Sequence, residues 1–227
     1  MTNTQVNIDK EALINSLKEF SKDLGDRIIL KVINLEKNKE LLETVPYYAY
    51  LDLAVIFYYM IPSEDTEEFH CVLIDNNLYN NWNISIEDML DLAQENTPKL
   101  LGLKVQGLLT TIAEYMDEDS LKEIAETEDR NMPLYVATNK NCCNGAGVML
   151  YKDLFKALAS KFKSDLFVIP SSIHEIIVVK AVKGCQVDTD SLKDMIHYVN
   201  RNEVPEGDVL SDSLYFYSMD EESLMIA

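Results

Sequence analysis

From residue 40 to residue 98 the chain contains no lysine or arginine, while the same 59 residues carry twelve Asp or Glu. The deficit of positive charge is therefore local as well as global. By block, residues 1–39 sum to +1, 40–98 to −12, 99–129 to −5, 130–201 to +4 and 202–227 to −7, giving −19 in all. A field of that sign repels nucleic acid and anionic membrane and favours basic partners or cations. Long apolar runs are missing too. The longest, Leu53 to Pro62, is ten residues, about half of what a bilayer-crossing helix needs. The first residues, Met1 to Gln5, lack the basic start and apolar stretch of a secretory signal, so a cytoplasmic protein is expected.

Cysteine and histidine are scarce. There are four cysteines and three histidines, and no C-x-x-C pair. Adjacent Cys142 and Cys143 are poorly placed to bridge each other, so reduced, mostly buried thiols are expected and a structural zinc site is not. No metal or cofactor is expected. With 47% hydrophobic residues in 227, the chain can bury a sizeable core, as one large domain or as two packed lobes.

Asp9, then Leu13, Leu17, Phe20 and Leu24, predicts an amphipathic helix ending at Gly25. Arg27–Leu35, Leu53–Ile61 and Phe69–Ile74 read as strands, with Ser63 to Glu67 as an exposed hairpin loop. Ser85 and Asp88 form a capping box ahead of a second helix that ends near Pro98. The stretch 103–116 fits helix or strand, and its length favours helix. Asp117 to Asp129 reads as a solvated acidic connection with a short helix around Leu121 to Ala125.

The pattern then restarts. Leu134–Thr138 and Gly145–Tyr151 are predicted strands around the polar turn Asn139 to Asn144, and Leu154 to Phe162 is a helix. Leu166–Ile169 and His174–Ala181 are strands, Asp190 caps a helix, and Leu214–Tyr217 is a closing strand. Loops too short for parallel crossovers imply hairpins. The expected class is α+β, with largely antiparallel sheets and helices on their faces. The expected division is an acidic lobe at 1–116, a connector at 117–132 and a second lobe at 133–227.

Chemically, the densest segment is Ile169 to Glu175, with Ser171, Ser172, His174 and Glu175 on one turn. Successive residues in extended backbone face opposite ways, so His174 and Glu175 do not easily address one serine. Neither a G-x-S-x-G elbow nor an H-E-x-x-H motif is present. A turn satisfied by its own hydroxyls is the plainer reading. Asn144 and Gly145, heading Gly145-Ala146-Gly147, could let backbone approach a phosphate, but the third glycine of a dinucleotide fingerprint is missing. The carboxylates of Glu64, Asp65, Glu67, Glu68, Asp88 and Asp91 suit a cationic surface, whereas the alternation of a calcium loop is absent. Acids in a first helical turn also complement the helix dipole.

Several segments together carry a resemblance. They are Lys37 to Leu42, Val45-Pro46, Leu51-Asp52-Leu53-Ala54, Pro133 to Val136, Thr138-Asn139-Lys140, Asn144-Gly145-Ala146, Pro170 to Glu175, and Leu210-Ser211-Asp212. As a set they resemble a large family from gut Firmicutes known only as a domain of unknown function. The resemblance spans nearly the whole chain and implies a cytoplasmic bacterial protein, without implying an activity. Cys142-Cys143 and Gly147 depart from the family's pattern. That pattern places Asn144 to Ala146 and Pro170 to Glu175 at two turns of one lobe, and a site is expected where they meet.

Two functional classes follow. One is a non-enzymatic binding protein that engages a basic protein partner, in its most concrete form an inhibitor mimicking nucleic-acid charge. The other is a hydrolase-like enzyme using Ser171, Ser172, His174 and Glu175, with Asp212.

Overall fold

The computed structural model describes residues 17, 20–62, 69–116, 119–131, 134–181 and 188–227. The first predicted helix, apart from its end, and Glu64, Asp65, Glu67 and Glu68 lie outside the described residues. The class is α+β, built on two antiparallel sheets.

A helical turn α1 (Lys22–Gly25) leads into β1 (Ile28–Asn34), followed by turn α2 (Lys39–Leu42) and strands β2 (Tyr47–Tyr50), β3 (Leu53–Pro62) and β4 (Phe69–Leu73). The ten-residue β3 is central, as its nearly unbroken apolar sequence predicts. It pairs along one side with β1, Ile28 to Asn34 opposite Tyr59 to Leu53, and along the other with β2 and then β4. The two-residue connection Leu51-Asp52 between β2 and β3 holds Leu51 at φ 56.

After turn α3 (Asn76–Tyr79), helix α4 (Ile86–Leu101) starts in the predicted capping box, with Ser85 Oγ accepting from Asp88 N at 3.0 Å. It runs three residues past Pro98. Its inward face carries Met89 and Ala93 but also Asn96 and Thr97, all buried. Those two polar side chains serve the free edge of β1. Thr97 Oγ1 accepts from Leu30 N at 3.0 Å, and Asn96 Nδ2 donates to Ile28 O at 3.1 Å. The edge strand is thus closed by a helix rather than left as a template for another chain.

The stretch 103–116 is not one helix. It is strand β5 (Lys104–Gly107) followed directly by helix α5 (Leu108–Tyr115). Helix α6 (Asp119–Asp129) replaces the expected loose connection, and it packs on α5. Asp129 ties the end of α6 to the start of α5. Its carboxylate, buried, accepts from Leu109 N at 2.9 Å, Thr110 N at 2.8 Å and Thr110 Oγ1 at 2.6 Å. That supplies the N-terminal cap Gly107 lacks a side chain to give.

Strand β6 (Leu134–Thr138) is followed by a loop and a buried 3-10 helix at Gly145–Leu150, where a strand is predicted. Two left-handed residues, Cys142 (φ 52) and Asn144 (φ 50), turn the chain out of extended geometry, so the apolar run is buried as a wedge and not as a sheet member. Helix α7 (Leu154–Phe162), strands β7 (Leu166–Ile169) and β8 (Ile176–Lys180), helix α8 (Thr189–Asn202) and strands β9 (Tyr215–Ser218) and β10 (Ser223–Ile226) complete the chain. Asp188, not Asp190, caps α8, its carboxylate accepting from Ser191 N at 3.1 Å.

The second sheet has the order β10-β9-β7-β8-β6-β5. Its last strand, β5, precedes residues 117–132 in the chain, whereas the other five follow them. The largest core combines both halves: Ile28, Leu30, Val32 and Phe57 from the first sheet meet Val168, Ile176 and Val178 from the second around Val148 and Met149 of the 3-10 wedge. Each such fully buried aliphatic side chain contributes roughly 1.5–3 kcal/mol. The far face of the second sheet is covered by α8 through Leu192 and Ile196.

Candidate functional site

Two turns meet at the mouth of this wedge. Asn139 opens the first. It is buried, and its Oδ1 accepts from Asn141 N at 3.0 Å while its Nδ2 donates to Cys143 O at 2.8 Å. One side chain thereby folds residues 139–143 into a loop, in the way Asx turns use a short amide. The second turn, Pro170 to Glu175, is held by Ser172. Its Oγ accepts from His174 N at 3.0 Å and donates to Glu175 Oε1 at 3.0 Å.

The loop and the turn are tied by three contacts. Thr138 Oγ1 donates to His174 O at 2.7 Å, Ala146 N to Ile173 O at 3.1 Å, and Asn144 N to His174 Nδ1 at 3.2 Å. Gly145 lies between them with no room for a side chain. A Cβ there would stand 2.0 Å from Thr138 Oγ1 and 2.6 Å from His174 O. Close approach of two backbones, not phosphate binding, is what this glycine provides.

The contact from Asn144 fixes the chemistry of His174. Because Nδ1 accepts a backbone N–H, the neutral ring carries its proton on Nε2. Nε2 faces Asp208 Oδ2 at 3.7 Å. Nδ1 is taken, Nε2 faces Asp208 beyond hydrogen-bond distance, and the hydroxyl of Ser172 is engaged with Glu175, so no serine–imidazole hydrogen bond forms at this turn. Asp212 keeps other company: it accepts from Asn200 Nδ2 at 2.8 Å and lies 3.8 Å from His197 Nδ1. Of the acids on α4, Asp88 is spent on the helix cap, whereas Asp91 is exposed beside exposed Glu87 and Glu95. Glu95 is paired with Lys99 at 2.6 Å.

Three depressions surround the 142–144 loop. An open groove of about 350 Å³ is lined by Tyr115, Cys142, Ser172, His174, Glu175, Glu203 and Asp208, among others, and none of its lining residues is Lys or Arg. A second hollow, about 210 Å³, shares Tyr115, Cys142 and Glu175 and contains the pair Lys104–Glu114 at 2.6 Å. The hydrogen bond from Lys104 holds the Glu114 carboxyl below its usual range and raises the Lys104 ammonium. The third, about 130 Å³, lies on the other side of the loop, against Lys31, Cys71 and Cys143. Among the described residues no group of His, Cys, Asp and Glu is arranged to hold a metal ion.

Family models, compared with the sequence, give a match over residues 2–219 to a family of unknown function. The chain belongs to DUF5688. No curated protein and no solved structure matches it. Among the described residues of this DUF5688 protein, no helix is long and apolar enough to cross a membrane.

The family-like segments Asn144 to Ala146 and Pro170 to Glu175 do meet in space, through the contacts just described. Sequence reasoning missed Tyr115, Glu203 and Asp208, which come to the groove from α5 and from the segment after α8 and carry no local signal. It also missed Lys31, which did carry one: a single charge inside Ile-Ile-Leu-Lys-Val-Ile, a strand otherwise apolar on both faces.

Proposed function

We propose that this protein is a non-enzymatic binding protein whose partner is a basic protein segment, received in the groove between the 142–144 loop and the segment 203–208. The observation that carries this reading is the groove's lining. Glu175, Glu203 and Asp208 supply carboxylates, no Lys or Arg offsets them in the lining, and Tyr115, 72% exposed, offers an aromatic face at its rim. Carboxylates with an adjoining aromatic ring suit lysine or arginine side chains through ion pairing and cation–π contact. Exposed Glu87 and Asp91 on α4 add to the same long-range field. In its most specific form the partner is a nucleic-acid-binding protein, whose phosphate-binding surface would be occupied by these carboxylates. The hydrolase-like alternative is less favoured: Glu175 does accept from the Ser172 hydroxyl at 3.0 Å, but His174, whose Nδ1 is taken by Asn144 N, reaches no serine hydroxyl among the described residues.

Affinity capture from a native host lysate after nuclease treatment tests the reading. The expected result is a basic partner, released as salt is raised, whose nucleic-acid binding is competitively lost on addition of this protein. The double substitution Glu203→Gln/Asp208→Asn is expected to weaken capture at least tenfold, a loss of about 1.4 kcal/mol. Binding indifferent to salt, or unchanged in that variant, overturns it.

A further inference from the structure

The cavity on the far side of the 142–144 loop has a different character from the groove. Its walls are mainly apolar, from Ile29, Leu30, Phe69 and Leu101, with Tyr58 beside them. One cation, Lys31, projects from β1 into this lining. The amine is partly buried, and burial lowers its proton affinity, partly offset by Cys143 and then by Asp208. No carboxylate among the described residues forms an ion pair with it. Asp208, which acts on it through space, lies 3.7 Å from His174 Nε2. A half-buried ammonium without a hydrogen-bonded counter-charge is energetically unfavourable and is stabilised by an anion arriving with its own apolar body.

We propose that this cavity is a binding site for a small apolar carboxylic acid, its carboxylate on Lys31 Nζ and its hydrocarbon part between Ile29, Phe69 and Leu101. Size supports the class. A dry apolar void of about 150 Å³ accepts benzene, so a cavity near 130 Å³ holds roughly four to six carbons, with the carboxylate at its mouth. Charge supports it as well. One ammonium balances one carboxylate, whereas a phosphate dianion would bring an uncompensated charge against apolar walls. The protein's net negative charge opposes an anion here only weakly, since physiological salt screens exposed carboxylates lying more than about 8 Å away. The site goes beyond the acidic groove and stands or falls without it.

Benzoate is the probe, with benzamide as its neutral isostere, followed by calorimetry and by amide chemical-shift mapping on the whole chain. Benzoate is expected to bind roughly ten- to a hundredfold tighter than benzamide, the range a hydrogen bond to a charged group supports. The largest shifts are expected at Lys31, Leu101 and Cys143. Lys31→Met is expected to remove the preference for benzoate while leaving benzamide binding unchanged. Equal affinities, shifts centred elsewhere, or a preference surviving in Lys31→Met each overturn the proposal. If Lys31→Met does not fold, the wild-type shift map and the benzoate–benzamide ratio decide it alone.

Discussion

Ser211 lies 159 residues beyond Asp52 in the chain, and its hydroxyl donates to Asp52 Oδ2 at 2.5 Å. Tyr215 donates to Oδ1 of the same carboxylate at 2.5 Å, and Ser213 to Oδ2 at 2.9 Å. Three hydroxyls from the C-terminal segment thus converge on the tight turn between β2 and β3. Two of the segments that carried the family resemblance, Leu51 to Ala54 and Leu210 to Asp212, are the two sides of this contact. Ser211 and Tyr215 are fully buried, so neither hydroxyl has water as an alternative acceptor. Asp52→Ala is therefore expected to cost about 2–4 kcal/mol, and Tyr215→Phe about 1–2 kcal/mol. Urea unfolding monitored by tryptophan fluorescence measures both.

The same contact sets an alkaline limit. Burial, reinforced by the Asp52 carboxylate, holds the Tyr215 hydroxyl above the ordinary tyrosine range. The unfolded chain then loses that proton near pH 10 while the folded chain keeps it. Its contribution to stability is complete below about pH 10 and declines as pH rises further. Tyr215→Phe is expected to flatten the alkaline stability profile by the slope of one proton. An unchanged slope in that variant would show that the hydroxyl ionises freely in the folded state.

Asp129 and Gly107 are expected to behave as one unit. A Cβ on Gly107 would lie 2.0 Å from Asp129 Cγ, so Gly107→Ala displaces the carboxylate that caps α5. Its backbone, at φ −64, is ordinary, so no conformational strain adds to the effect. Asp129→Ala removes the cap outright, at about 1–3 kcal/mol. The double variant is expected to cost clearly less than the sum, because alanine at 129 leaves room for the new methyl. Additive losses in denaturant unfolding would separate the two residues.

What the sequence disclosed follows from the reach of each signal. Strands β1 and β3 were legible because burial on both faces demands mostly β-branched and apolar residues, interrupted in β1 only by Lys31 before its terminal Asn34. Helix α4 was legible because a capping box is local chemistry. Residues 103–116 read as helix on length, whereas Gly107 ends a strand and begins a helix whose first turn is capped by Asp129, 20 residues beyond Leu109. The 3-10 wedge was misread because Gly145 to Leu150 is apolar enough for a strand, and only the left-handed residues before it bend it away. At the site, the approach of loop and turn was legible through the family resemblance. Its groove was not, since Glu203 and Asp208 arrive by tertiary packing alone.

Cys71 lines the Lys31 cavity and is exposed at its surface, yet desolvation first and Cys143 second push its thiol up to about 11. Since the thiolate is the reacting species, alkylation of Cys71 at neutral pH is expected to be slow. Its rate should keep rising to about pH 11 and not level near 9. Peptide mass spectrometry after timed iodoacetamide treatment follows it. A plateau near pH 9 would mean that the thiol is solvated, and that the cavity wall is more open than this geometry.

Gly145 is the hinge pin of the candidate site. A methyl there meets Thr138 Oγ1 at 2.0 Å, His174 O at 2.6 Å and Asn139 N at 2.7 Å. The first is a side-chain atom that can rotate; the other two are backbone and move only if the loop and the turn separate. Gly145→Ala is therefore expected to cost about 1–3 kcal/mol by overpacking. It should also break the bonds that Asn144 N and Ala146 N make across the gap, raising their hydrogen-exchange rates. Adding Thr138→Ala removes the 2.0 Å contact but also the 2.7 Å bond to His174 O, so stability should recover only in part. Full recovery in the double variant would mean that the hydroxyl alone excludes a side chain at 145. Protection of Asn144 and Ala146 unchanged in Gly145→Ala would mean that the two turns are not held by the contacts described.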